Sequence, residues 1–124
     1  MLTEKQIKVV LDTNFLIYVK ALKVDVIELI KDKLLEKTSF FVTTGILKEI
    51  MKVGGRNRKI ALEVIEKNKV KVLKSVISTV DSELVDLSLK NYVIATSDKE
   101  LRKRIKEAGG LTIFLRQKKF VEMN

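Results

Sequence analysis

Four carboxylates in this sequence stand where a reactive site would form. Asp12 is the one charged residue of the run "VVLDTNFLIYV", Asp98 follows the apolar run "YVIATSD", Asp81 opens "VDSELVDLSL", and Glu49 lies within "TGILKEIMK". A carboxylate set against apolar residues is costly unless something pairs with it. Two like charges ~4 Å apart repel by about 4 kcal/mol at an effective dielectric near 20. Acids brought together therefore hold protons at neutral pH unless a cation compensates them. A divalent cation removes the repulsion, polarises a phosphoryl oxygen and acidifies a bound water.

The rest of the composition narrows the chemistry. The chain has neither cysteine nor histidine, which excludes disulfides, thiolate catalysis, zinc-finger folds and imidazole bases. Any metal ligand is then an oxygen or an amine, and oxygen donors suit Mg²⁺ or Mn²⁺ rather than Zn²⁺. The net charge is +9, from 25 Lys and Arg against 16 Asp and Glu in 124 residues. Such a surplus attracts polyanions, nucleic acid first among them, although a lysine-rich solubilising surface of the kind found in heat-adapted proteins also explains it. No apolar run approaches the ~20 residues of a membrane span. The start "MLTEKQIKVV" has no signal-peptide pattern, so the expected place is the cytoplasm, without a membrane partner.

The elements that would position the acids alternate along the chain. Strands are expected at Ile7–Leu11, Ser39–Thr43, Val70–Leu73, Tyr92–Ala95 and Leu111–Leu115, with helices at Asn14–Ala21, Val24–Glu36, Gly45–Lys52, Arg56–Asn68, Asp81–Lys90 and Asp98–Ala108. Alternation of this kind predicts an α/β fold, a three-layer α/β/α arrangement with a central parallel sheet of about five strands, formed as a single domain over residues 1–124. In such sheets ligands bind beyond the carboxyl ends of the strands, where strand order reverses. Asp12, Glu49, Asp81 and Asp98 all fall at that edge.

Each acid also has a plainer explanation. Ser97 and Glu100 make an S-x-x-E capping box, with Asp98 a favourable first-turn acid. Asp81 is a good N-cap residue and Asp12 can cap the helix after it. Glu49 lies well off the apolar stripe of its helix and reads locally as a solvated glutamate. Their joint placement, not any one of them, points to a site.

The segments "VVLDTNFLI" and "YVIATSDKELRKRIKEAGGLTIFLR" resemble the two signature ends of PIN domains, which are metal-dependent ribonucleases; the resemblance runs from about Lys8 to Phe120. It implies that Asp12, Glu49, Asp81 and Asp98 are catalytic and hold one or two Mg²⁺ or Mn²⁺ ions. For the third acid, "VDSEL" departs from the commoner Asp-Asp form, with Ser82 in the second place, and Glu83 and Asp86 stay as alternatives to Asp81. Thr13, Asn14, Thr96 and Ser97 resemble the polar residues that hold the acids by hydrogen bonds. The late segment looks more like the archaeal branch akin to ribosomal-RNA-processing PIN proteins than like VapC-type toxins. Both branches cut single-stranded or looped RNA. The resemblance further implies an antitoxin or ribosome-assembly partner and a homodimer, and it leaves open a catalytically weak module that binds RNA as a subunit.

Basic residues near the acids would hold the RNA backbone: Lys48 and Lys52 beside Glu49, Arg56, Arg58 and Lys59 after Gly54 and Gly55, and Lys99, Arg102 and Arg104 in the last helix. "RNRK" is expected to act as a mobile basic loop. Two other enzymes on similar sheets fit poorly. A haloacid-dehalogenase-type phosphatase needs D-x-D after its first strand, where Asn14 stands, and a receiver domain needs an aspartate after its third strand, where "KVLKSVIS" follows.

Overall fold

The structure is a computed structural model, and it describes residues 6–21, 25–34, 37–116 and 120–124. In chain order the elements are β1 (Gln6–Leu11), α1 (Thr13–Ala21), α2 (Val26–Leu34), β2 (Lys37–Thr43), α3 (Thr44–Val53), α4 (Gly55–Lys67), β3 (Lys71–Leu73), α5 (Val80–Ser88), β4 (Tyr92–Ala95), α6 (Lys99–Ala108), β5 (Thr112–Arg116) and β6 (Phe120–Met123). Val24, Leu35 and Glu36, expected in the second helix, lie outside the described residues.

The strands form one sheet in the order β3-β2-β1-β4-β5-β6. The first five run parallel, and β6 pairs antiparallel with β5 from Ile113–Met123 to Arg116–Phe120. The expected parallel sheet of about five strands is borne out, with a sixth, antiparallel strand added at its edge. That strand carries little signal in the sequence, because "FVEM" is short and an antiparallel strand needs no crossover helix before it. Strand order reverses between β1 and β4, so crossovers on the two sides run in opposite directions. With right-handed connections, this places helices on both faces of the sheet. Accordingly α1, α3 and α4 pack together, while α5 packs on α6 and β4.

Burial follows from this covering. Val9, Val10 and Leu11 of β1 and Ile94 and Ala95 of β4 are fully enclosed, as strands covered on both faces must be. From the helices, Phe15, Leu16, Ile27, Ile30, Ile46, Ile50, Leu84, Leu101 and Ile105 complete one continuous core. Each such side chain contributes roughly 1.5–3 kcal/mol through burial. α6 ends at Gly109 with φ +95°, a left-handed cap that favours glycine. At the next residue, a Cβ on Gly110 would fall onto the Ser88 side chain, so the α6–β5 turn presses directly on α5. The outcome is two rigid central strands whose carboxyl ends stand side by side, Leu11 level with Ala95.

Candidate active site

Asp12 leaves the end of β1 and begins α1. Its backbone N–H donates to the Ala95 carbonyl at 3.0 Å, continuing the β1–β4 ladder by one residue, and its own carbonyl accepts from Leu16 N at 3.0 Å. The residue is thus held by the sheet on one side and the helix on the other. Its side chain is 6% exposed. Oδ1 accepts from Thr13 N at 2.9 Å, and Oδ2 accepts from Thr96 Oγ1 at 2.8 Å. Burial pushes the Asp12 carboxyl above the ordinary aspartate range, and Glu49 and Asp81 push it the same way. The bonds from Thr96 and Thr13 pull against that rise without cancelling it.

Two threonines tie Asp12 to other acids. Thr13 Oγ1 donates to Glu49 Oε1 at 2.7 Å, joining the start of α1 to α3. Thr96 Oγ1, besides donating to Asp12, accepts from Asp98 N at 3.2 Å. Asp98 is the N-cap of α6, where its Oδ1 accepts from Glu100 N at 2.9 Å and Leu101 N at 3.2 Å. This corrects the expected capping box, because Asp98 and not Ser97 caps the helix. Glu49 owes its place to Thr43, which caps α3 by accepting from Ile46 N at 3.0 Å.

Asp12, Glu49, Asp81 and Asp98 line one cavity of about 420 Å³, together with Thr13, Asn14, Lys52 and Val53. Asp81 sits in the first turn of α5, whose N-cap is Thr79 rather than Asp81 itself. First-turn acids favour the helix dipole, so Asp81 is both cheap to place there and turned to the cavity. The two alternative acids have other partners. Glu83 is 3% exposed and accepts from Ser75 Oγ at 2.6 Å, Val76 N at 2.8 Å and Ile77 N at 3.2 Å. Asp86 pairs with Lys90 at 2.9 Å.

Of the four polar residues expected to support the acids, Thr13 and Thr96 do so. Asn14 lines the cavity without a hydrogen bond to an acid among the described residues, and Ser97 lies off it. Of the basic residues, Lys52 alone lines the acid cavity. Lys48 is exposed one residue before Glu49. Arg56, Arg58 and Lys59 do not form a mobile loop: they lie within the first five residues of α4, which begins at Gly55. Gly54, with φ +68°, supplies the turn between α3 and α4 that no side-chain-bearing residue adopts readily. Lys99 and Arg102 line a separate cleft along α6, and Arg104 is exposed on the same helix. Val53 also lines the cavity, and nothing in its residue type points to a polar site.

The donor set fits a hard divalent cation: four carboxylates with no softer ligand, one of them raised in pKa by its burial and, to a lesser degree, by its anionic neighbours. Among the described residues no three acids stand within reach of a single ion as they are placed. Asp12, Glu49, Asp81 and Asp98 are the residues that would hold such an ion, whose charge would relieve their mutual repulsion. Asp12, bonded on both oxygens, is the fixed point of such a set.

Known proteins resemble the chain in sequence and in fold. Over 110 residues the chain is 32% identical to the rRNA-processing protein FCF1 of Saccharomyces cerevisiae, covering 86% of this chain and 58% of that protein. The chain thus spans little more than half the length of that relative. The structure of the PIN domain endonuclease Utp24 superposes with a TM-score of 0.80 at 27% identity, covering 93% of this chain and 90% of the other. A domain of a functionally unknown protein from Methanocaldococcus jannaschii shares the fold, with a TM-score of 0.59 at 17% identity over 88% of this chain and 91% of that one. Residues 9–118 match the model of the PIN-like domain family, and the chain belongs to that family.

Proposed function

We propose that this protein is a metal-dependent endoribonuclease that hydrolyses phosphodiester bonds of single-stranded or looped RNA, in the processing of ribosomal RNA. The observation that carries the proposal is the convergence of Asp12, Glu49, Asp81 and Asp98 on one cavity in a chain of net charge +9. Similarity to an rRNA-processing protein and to a PIN domain endonuclease supports the reaction and the kind of RNA. That similarity also favours ribosomal RNA, with a ribosome-assembly partner, over a toxin role.

In this proposal the carboxylates hold one or two Mg²⁺ or Mn²⁺ ions. A bound divalent ion supplies charge for the phosphoryl oxygens and lowers the pKa of a water. Asp12 provides the rigid anchor, held on both oxygens by Thr13 and Thr96. Thr13 orients Glu49 toward the same space. Asp98 spends Oδ1 on the α6 N-terminus, which leaves Oδ2 for a ligand. Lys52, on the cavity wall, neutralises a backbone phosphate next to the one being cut. Single-stranded RNA suits the site because an unpaired backbone bends into an open cavity as a duplex cannot.

A second possibility, an RNA-binding module with weak or no cleavage, draws on the spread of the acids, no three of which share one ion's reach among the described residues. Incubation of the protein with labelled single-stranded RNA separates the two. Shortened products in Mn²⁺ or Mg²⁺ and none in EDTA are expected for the nuclease, and intact RNA in all three, with binding retained, would establish the module.

A further inference from the structure

α6 carries a second concentration of charge that the acid cavity does not use. Lys99, Arg102, Lys103 and Lys106 follow i, i+3, i+4, i+7 spacing, so they form one stripe of the helix. With Thr112 and Asn124 they line a cleft of about 330 Å³ between α6 and the β5–β6 pair. Among the described residues none of these cations is in an ion pair. Like charges at such spacing destabilise a helix, and Lys99 adds to the cost by standing at the positive end of the dipole. The apolar stripe of α6, Leu101 and Ile105, is buried elsewhere in the core, so the charges are not a by-product of packing.

Arg102 is the fixed member of the group. Its guanidinium carbon lies 3.5 Å from the centroid of the Phe114 ring, a cation–π contact that holds the side chain over β5. Its Nε is buried and has no hydrogen-bond partner among the described residues. The rest of the guanidinium, held by the Phe114 ring, carries further N–H donors on the cleft lining. Thr112 and Asn124 add polar groups, and the lining includes no apolar side chain. An acidic peptide would find no pocket for an anchoring residue; a phosphate backbone needs none.

The position of the stripe selects the ligand further. Lys99 directly follows Asp98, which lines the acid cavity, so the two sites meet at one peptide bond. At 1.5 Å rise per residue, Lys99 and Lys106 stand about 10 Å apart along the axis, enough to track more than one backbone phosphate. We infer that the α6 cleft is a docking track for the sugar–phosphate backbone of single-stranded RNA, carrying the strand away from the acid cavity past Asp98. The inference deepens the ribonuclease proposal and rests on it for the identity of the strand.

Binding of a 5′-labelled single-stranded RNA of about 20 nucleotides, long enough to cover both sites, tests it by fluorescence anisotropy in EDTA, where no cleavage intervenes. K103E/K106E is compared with K67E/K69E, a reversal of equal charge at the end of α4. The α6 variant should weaken binding by more than about tenfold and reduce the slope of log K against log salt by about 1.4, or 0.7 for each lost phosphate contact. The α4 variant should change affinity by less than about threefold, as for general surface charge. Equal losses in the two variants, or no loss from K103E/K106E, would overturn the inference. So would polyglutamate displacing the RNA at equal charge concentration, which would make the cleft a general anion surface. Since metal is absent, these outcomes are independent of whether the protein cleaves.

Discussion

Thr96 donates its hydroxyl to Asp12 Oδ2 at 2.8 Å across 84 residues of sequence, and accepts from Asp98 N at 3.2 Å. One fully buried side chain thereby fixes two acids at the carboxyl ends of adjacent strands. Replacing it by valine keeps the shape and removes both bonds. T96V should destabilise the protein by ~1–3 kcal/mol, the usual cost of leaving buried polar groups unpaired, and lower Mn²⁺ affinity by about 10–100-fold. T96S, which keeps the hydroxyl, should recover the affinity. Denaturant unfolding and metal titration measure the two effects separately.

Thr13 makes the corresponding link to Glu49, at 2.7 Å. T13V should leave Asp12 in place, since Asp12 accepts from the backbone N–H of residue 13. It should release Glu49 and weaken metal binding by about tenfold. Isothermal titration with Mn²⁺ checks this, and an affinity unchanged from the parent protein would show that Glu49 is not oriented by Thr13.

Glu83 serves the loop after β3. Its two oxygens take three bonds from residues 75–77, and Ser75 Oγ in turn accepts from Gly45 N at 2.9 Å while Ser75 N donates to Thr44 Oγ1 at 2.9 Å. The network holds the start of α3 against the start of α5, and so sets Glu49 relative to Asp81. E83A should cost ~2–3 kcal/mol by unfolding measurements, in the range for charged hydrogen bonds lost on burial.

The buried Asp12 carboxyl makes stability depend on pH with a definite sign. Burial raises its pKa from the ordinary 3.8, so below that value the group is protonated in both folded and unfolded chains and costs nothing. As pH rises through 3.8 the unfolded chain ionises first, and stability falls until the folded protein ionises too. D12N abolishes this loss. In metal-free protein, the Tm of D12N minus that of the parent should grow as pH rises above about 4 and level off once the folded carboxyl has ionised. A difference constant over that range would contradict the assignment.

A divalent ion should reverse the penalty. At a concentration of 100 Kd, Mn²⁺ should stabilise the parent protein by ~2.7 kcal/mol by mass action. D12N should respond little.

How much of this was legible in the sequence depends on the kind of signal. β4 was legible in full because "YVIA" is an unbroken apolar run ended by polar residues, and Asp12 because a lone charge stands out at such an end. Strand edges elsewhere shifted by one or two residues, as at β2, where Lys37 and Thr38 extend the pairing with no apolar pattern to mark it. The helix caps were misassigned because Ser97 and Asp98 are equally good caps in composition. The bonds from Glu100 N and Leu101 N to Asp98 Oδ1 decide between them. The division of the basic residues was invisible for a similar reason. Lys52 lies three residues from Glu49 and Lys99 next to Asp98, yet one lines the acid cavity and the other the cleft beside β5.

The most direct measurement of the proposed activity is cleavage of single-stranded RNA in Mn²⁺ by the parent protein, D12N and D98N, with folding verified for each. Both variants should fold and should cleave about 10²–10³-fold more slowly, as expected when charge stabilisation worth several kcal/mol is lost. Cleavage by either variant at the parent rate would contradict a metal site built on Asp12 and Asp98.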